Sequence, residues 1–201
     1  SFLNERENFF HKPLVNLNHF MTINDQMRLS SVFYWSGGSG GGSGTHRNND
    51  GFIWDYSGPS RVFDLDATIA MNQSAETRKG EAKGLGESDA IIRNSINRQD
   101  TYGLISKLNY DLNDETTIEV GVDWRTAEIE HAREVRDLLG GNYFVETHDE
   151  NRPDGYQAGL GDIIVYHNTN TVDWLGFFAQ GNYTKDALSA YGMAGFSSIT
   201  Y

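Results

Sequence analysis

The sequence predicts an all-β chain, an antiparallel section of a transmembrane β-barrel wall of about six strands, and three observations carry that expectation. Apolar and polar residues alternate with a period of two over segments of about ten residues. The connections between these segments are by turns very short and very long. Aromatic residues gather at the segment ends, where a barrel carries its interfacial girdles.

The first hairpin sets Val15, Leu17, Met21 and Ile23 on one face, with Asn16, Asn18 and Thr22 opposite. It turns at Asn24-Asp25 into a strand from Met27 to Trp35, where Met27, Leu29, Phe33 and Trp35 oppose Arg28, Ser30 and Tyr34. Pro13 precedes it, where a missing N–H costs little. In the second hairpin Tyr102, Leu104, Ser106, Leu108, Tyr110 and Leu112 face one way, and Gly103, Lys107, Asn109 and Asp111 the other. Asn113-Asp114-Glu115 makes the turn, and Ile118, Val120, Val122 and Trp124 then oppose Glu119, Gly121, Asp123 and Arg125. The third hairpin carries Leu175, Phe177, Ala179 and Tyr183 against Gln180 and Asn182, turns near Lys185-Asp186 and returns over Leu188–Tyr201.

The long connections, Ser36–Asp100 and Ala132–Thr169, discriminate between folds. Structureless loops beyond ~12–15 residues are uncommon inside compact domains. Short turns alternating with long loops fit a membrane barrel with turns on the periplasmic side and two long extracellular loops. Ten strand residues at ~3.3 Å, tilted by ~45°, cover roughly 23 Å, which matches the ~25 Å apolar band. Ile118, Val120, Val122, Leu104 and Leu108 are then expected on the lipid face. The three tight turns belong at the periplasmic rim, and Gly37–Gly44 and Gly140-Gly141 at the opposite one. A soluble antiparallel sandwich uses the same alternation and remains the competing architecture.

Composition narrows the function. With 28 Asp and Glu against 16 Lys and Arg the chain carries a net charge of −12, which disfavours nucleic acid because phosphate neutralisation needs clustered cations. No apolar run approaches the ~18 residues of a spanning helix. Without cysteine there is no disulfide framework, thiolate metal site or cysteine nucleophile. The chain opens in mid-pattern at Ser1-Phe2-Leu3 and stops inside an apparent strand at Ser198–Tyr201, so residues 1–201 are expected to be part of a longer barrel.

Two stretches have a familiar cast. One is Ser31-Val-Phe-Tyr-Trp-Ser-Gly-Gly-Ser-Gly-Gly-Gly-Ser-Gly-Thr45 with Gly51-Phe-Ile-Trp-Asp55. The other is Thr117-Ile-Glu-Val-Gly-Val-Asp-Trp-Arg125, with Glu130-His131 and Glu134-Val-Arg-Asp-Leu-Leu-Gly-Gly-Asn-Tyr143 after it. Together they resemble the barrel of TonB-dependent outer-membrane receptors, of the type bearing a carboxypeptidase-regulatory-like N-terminal domain. The resemblance covers roughly Val15–Tyr201 and includes neither plug domain nor TonB box. It implies energised uptake of a scarce nutrient (siderophore, vitamin, oligosaccharide or peptide) across a Gram-negative outer membrane. Its implied partners are outer-membrane lipid, the nutrient, and the TonB complex reached through the missing plug. It implies no enzyme activity and no cofactor. The alternative is a soluble secreted module binding glycans through long aromatic loops.

Candidate chemistry is sparse. Glu128-x-x-His131-x-x-Glu134 would share one face of a helix, and Glu128–Leu139 has helical character ending at Gly140. Carboxylate–His pairs at this spacing serve di-metal bundles, but the second pair is missing, so a short amphipathic loop helix near 128–139 with a solvated charged face is expected rather than a metal site. The histidines, His11, His19, His46, His131, His148 and His167, have no metalloprotease spacing, and no nucleophile elbow occurs. Gly37–Gly44 lacks the Lys-Ser/Thr of a phosphate loop and is expected to be a native loop. Asn48–Gly51 and Asn151–Gly155 read as turns.

Ligand binding is expected in the first long loop. There Phe52, Trp54, Tyr56 and Phe63 alternate with Asp55, Arg61, Asp64 and Asp66, and Trp54, Asp55, Tyr56 and Arg61 are the candidate contacts. Arg28, Lys107, Glu119, Asp123 and Arg125 are the candidate lumen-facing residues. No catalytic residue is expected.

Overall fold

A computed structural model describes residues 3–48 and 51–201. The strands are β1 (Asn8–His11), β2 (Leu14–Asn24), β3 (Met27–Arg47), β4 (Trp54–Asp55), β5 (Val62–Phe63), β6 (Ala90–Asn113), β7 (Thr116–Asp137), β8 (Phe144–Val145), β9 (Gln157–Ala158), β10 (Ile163–Lys185) and β11 (Leu188–Thr200). The helix among the described residues is α1 (Leu65–Gln73). The chain divides into two compact units, one of residues 12–38, 98–129 and 169–201, the other of the remaining described residues. Asn49 and Asp50 of the expected Asn48–Gly51 turn lie outside the described residues.

The first unit is a single antiparallel sheet of the three expected hairpins, in the order β2-β3-β6-β7-β10-β11. Each turn holds two residues and has its own local chemistry. Asn24 Oδ1 accepts the Gln26 N–H at 2.9 Å, and Asn113 Oδ1 accepts the Glu115 N–H at 3.0 Å. Asp186 adopts φ 53°, the left-handed conformation a tight hairpin asks for. The register Leu17↔Phe33 and Phe177↔Phe196 joins apolar residues across strands, and Leu29, Leu108, Val120, Val122 and Phe177 line one shallow apolar depression of about 450 Å³. Ile118, Val120, Val122, Leu104 and Leu108 are all at least partly exposed, and no second sheet covers them among the described residues. Among the described residues the sheet is therefore one layer thick. It does not close: β2 and β11 are its edges.

The opposite face is polar and paired. Arg28 Nη2 donates to Asp111 Oδ2 at 2.6 Å, and Lys107 Nζ lies 3.6 Å from Glu119 Oε2. Arg125 meets Asp123, and Gln180 donates to Glu119 at 3.2 Å. All five candidate lumen-facing residues thus share one face. Trp174 lies on this polar face, with the Arg125 guanidinium 5.8 Å from its ring. Two glycines here are sterically required. A Cβ at Gly103 would enter the Tyr34 ring, and one at Gly121 the Phe178 ring, so each aromatic covers the gap left on a neighbouring strand.

The second unit corrects three expectations about the long connections. Gly37–Gly44 is not a loop but the middle of β3, and Asn8↔Gly42, Phe9↔Gly41 and Phe10↔Gly40 pair it with β1. The glycines permit close approach: a Cβ at Gly40 would strike the Phe9 carbonyl, and one at Gly41 the Ser95 carbonyl. A Gly/Ser run is a coil only while its backbone has no other partner. The expected loop helix near 128–139 is likewise strand, since β7 runs to Asp137 between β6 and β10. Two flanking strands offer hydrogen bonds along its whole length, and that overrides a weak helical propensity. The connections that remain are shorter than expected, because β6 begins at Ala90 and β10 at Ile163.

Residues 90–92 of β6 show how this unit forms a core. Ala90 and Ile92 pack with Phe52, Leu65, Met71 and Leu139, while Ile91 packs with Val135, Leu138, Phe144, Ala158 and Ile164. An uninterrupted apolar triplet in a strand buried on both faces gives this division directly. The helix α1 lays Leu65, Thr68, Met71 and Asn72 inward, and Asp64 caps it by accepting the Ala67 N–H at 2.9 Å. Asn72, fully buried, donates its amide toward the carbonyls of Ala90, Leu138 and Leu139 and accepts from the N–H groups of Asp89 and Ala90.

Candidate binding site

A polar concavity of about 470 Å³ lies within the second unit, between the turn 148–152 and the first residues of β10. Its turn wall follows from Asp149, whose carboxylate accepts the Asn151 N–H at 3.0 Å while its carbonyl accepts the Arg152 N–H at 3.0 Å. The turn expected at Asn151–Gly155 follows it, with the Tyr156 N–H bonding the Pro153 carbonyl at 3.1 Å and Gly155 at φ 75°. Its strand wall is Val165 to Asn168.

One buried carboxylate joins the two walls. Glu146, 3% exposed, accepts the N–H groups of His148 and Asp149 on Oε1, at 2.5 and 3.2 Å, and that of Val165 on Oε2, at 3.0 Å. Val165 has φ 67°, a left-handed conformation that a β-branched residue adopts only when its surroundings impose it. The Glu146 bond is one such constraint, and the cost of the distortion is of order 1–3 kcal/mol. Strain held by a buried carboxylate at the rim of a pocket marks a shaped site rather than a random crevice.

Cationic and aromatic groups back the pocket. The Arg133 guanidinium sits 5.2 Å from the Tyr166 ring centroid, and His46 packs its ring 5.3 Å from that of His148 and 5.4 Å from that of Phe144. Burial holds the His46 imidazole down to about 4, with His148 and Arg133 adding to the effect and Glu146 opposing it. His46 thus stays neutral in the fold while an unfolded chain titrates near 6.5. Between about 6.5 and 4 the unfolded state takes up the proton first, so stability falls as pH drops through that window. The effect is reduced by solvent screening, since the ring is only part-buried. Urea-unfolding midpoints are expected to decline from pH 7 to pH 4.5 (about these values) more steeply for the native chain than for His46→Phe, which keeps the ring packing and removes the proton site. Equal slopes would show that His46 does not govern the acid response.

The residues expected to bind ligand lie elsewhere in this unit. Trp54 and Phe63 are paired across β4 and β5, with rings 5.3 Å apart, and Arg61 stacks 4.0 Å over Trp54. Hydrogen bonds from the Ser57 side chain and, at 2.8 Å, from its N–H hold the Asp55 carboxyl below the usual range, and Tyr56 is 69% exposed. Trp54 and Arg61 are brought together, but Trp54 packs against the core around Phe52 and α1. Asp64 is the helix cap.

The Glu128, His131 and Glu134 triad is dispersed, because extended backbone sends i and i+3 to opposite faces. His131 meets Asn97 at 2.5 Å, and Glu134 accepts from Asn94 at 3.1 Å. No cluster of three or more His, Asp or Glu suited to a metal occurs among the described residues. Sequence reading missed Glu146, Tyr166 and Asn168. The pocket joins residues from separate segments, and only the turn signal at Asn151–Gly155 pointed to its location.

Comparison with models of known protein families, with curated proteins and with solved structures finds no match to this chain.

Proposed function

We propose that this chain is a section of the wall of a TonB-dependent outer-membrane receptor that takes up a scarce nutrient. The observation that carries the reading is the one-layer sheet, which leaves a broad apolar face uncovered: Leu17 is 69% exposed, Phe177 52% and Phe196 71%. A soluble antiparallel sheet buries such a face, and uncovered apolar patches of this extent mark a lipid or protein contact. The 11 residues of β2 span about 36 Å untilted at ~3.3 Å each, and about 25 Å at a ~45° tilt, the height of an outer-membrane apolar band. In this reading the paired polar face of Arg28, Lys107, Glu119, Asp123 and Arg125 borders the lumen, and the two open edges join further strands of the barrel. A plug engaged by the TonB complex would supply the energised step. In this reading Trp54, Asp55, Tyr56 and Arg61, chosen for their mix of aromatic and hydrogen-bonding groups, stay the candidate substrate contacts.

Spin labels at successive positions 118–123 of the full-length protein in lipid vesicles test the reading. Oxygen accessibility is expected to peak at 118, 120 and 122, with an aqueous nickel chelate favouring 119, 121 and 123. Absence of that alternation, or water access at every position, rejects a membrane wall. Cysteines at Asp114 and Asp154 complete the test on intact cells, where an impermeant thiol reagent should label only Asp154→Cys.

A further inference from the structure

We propose that the pocket between the turn 148–152 and residues 163–168 binds a neutral polyhydroxylated ligand, a mono- or disaccharide. The inference uses only the second unit and none of the membrane argument. The volume of about 470 Å³ lies within the ~300–1,000 Å³ of small-molecule sites. The lining mixes donors and acceptors at close quarters: the Asp149 carboxylate, the Arg152 guanidinium, the His148 and His167 imidazoles and the Asn168 amide.

Sugar hydroxyls are donors and acceptors at once, so they satisfy such a mixed set group by group. An anion would meet the Asp149 and Glu150 carboxylates, and a polycation would meet Arg152. An apolar ligand would strip water from all of these groups without replacing its hydrogen bonds. The Arg152 side chain is already positioned, with Nε 3.7 Å from Asp149 Oδ2 and its guanidinium 4.4 Å over the Tyr156 ring. His167 is oriented by Glu130, 2.9 Å from its Nε2, which leaves Nδ1 for a ligand. The Asn168 amide makes no side-chain hydrogen bond among the described residues and is exposed at the rim. Tyr166 contributes an aromatic face, against which the C–H surface of a sugar ring packs. Two linked features show that the cavity is built: the buried Glu146 tie between its walls and the left-handed backbone of Val165 that this tie helps to hold.

Saturation-transfer NMR on the full chain tests the assignment. The probes are glucose, galactose, mannose, xylose and their homodisaccharides at millimolar concentration, with citrate and spermidine as charged controls. Transfer to at least one sugar is expected, with affinity reduced about tenfold by Arg152→Ala and by Asn168→Ala, a difference of about 1.4 kcal/mol each. Leu160→Ala, an exposed change in the same unit, should leave it intact. Circular dichroism of each variant separates loss of contact from loss of fold. Three outcomes overturn the proposal: no transfer to any sugar, binding of citrate or spermidine alone, or sugar binding that survives both pocket variants but is lost in Trp54→Ala. The last would move the site to β4 and β5.

Discussion

Replacing Asn72 with Leu is expected to cost the second unit about 3–5 kcal/mol. Leucine matches the branched shape and heavy-atom count of asparagine, but its two methyl groups are bulkier, so some overpacking around α1 adds to the polar loss. Five backbone groups lose a partner at once. The carbonyls of Ala90, Leu138 and Leu139 lose a donor, and the N–H groups of Asp89 and Ala90 lose an acceptor. Water cannot reach them, because Asn72 and Ala90 are fully buried. The Leu138 carbonyl keeps the Ser88 hydroxyl at 2.6 Å, while each group left orphaned costs ~1–3 kcal/mol, with shared and angled bonds keeping the sum below the simple total. Hydrogen-exchange mass spectrometry should show amides 88–92 and 138–141 losing protection together, while the neighbouring exposed change Gln73→Leu leaves them as they were. Retained protection in Asn72→Leu would mean that α1 is held by its apolar stripe alone.

Glu146→Ala is expected to destabilise the same unit by about 3 kcal/mol or more, and in addition to loosen the pocket. Its two oxygens serve different walls, so the consequence is separation as well as loss of bonds. His148 and Asp149 lose their acceptor on one side, and Val165 loses the bond that helps hold its left-handed conformation on the other. Glu146→Gln keeps one acceptor oxygen and should fall between the native chain and the alanine variant. Glu150→Ala, at an exposed turn position, should change stability by no more than about 0.5 kcal/mol. Urea unfolding checks the order of the four chains. The amide of Val165, read by hydrogen exchange, reports on the strain. If Glu146→Ala and Glu150→Ala unfold alike, the two walls are held by the strands and not by the carboxylate.

The three hairpins were legible in the sequence because their determinants are local. Period-two alternation is a property of a few consecutive residues, and Asn24, Asn113 and Asp186 make turns through their own side chains and backbone. The face on which Ile118, Val120 and Val122 lie follows from the pleat alone, as does the polar face carrying Lys107, Glu119 and Asp123. The turn at Asn151–Gly155 was readable for the same reason.

The other outcomes depended on partners far away in the chain. Gly37–Gly44 becomes strand because β1 and β6 flank β3, and residues 128–137 extend because β6 and β10 take their hydrogen bonds. The helix α1 is short, and its inward stripe includes Thr68 and Asn72, whose burial is sensible only once the groups they satisfy are in place. Glu146 looks like any surface acid until residues 148, 149 and 165 converge on it. Alternation and turns are encoded within reach of one another, so the sequence by itself determined the hairpins and their two faces. The buried polar hubs and the pocket consist of backbone groups from segments tens of residues apart, and a backbone N–H leaves no mark on sequence, so only the tertiary structure decided them.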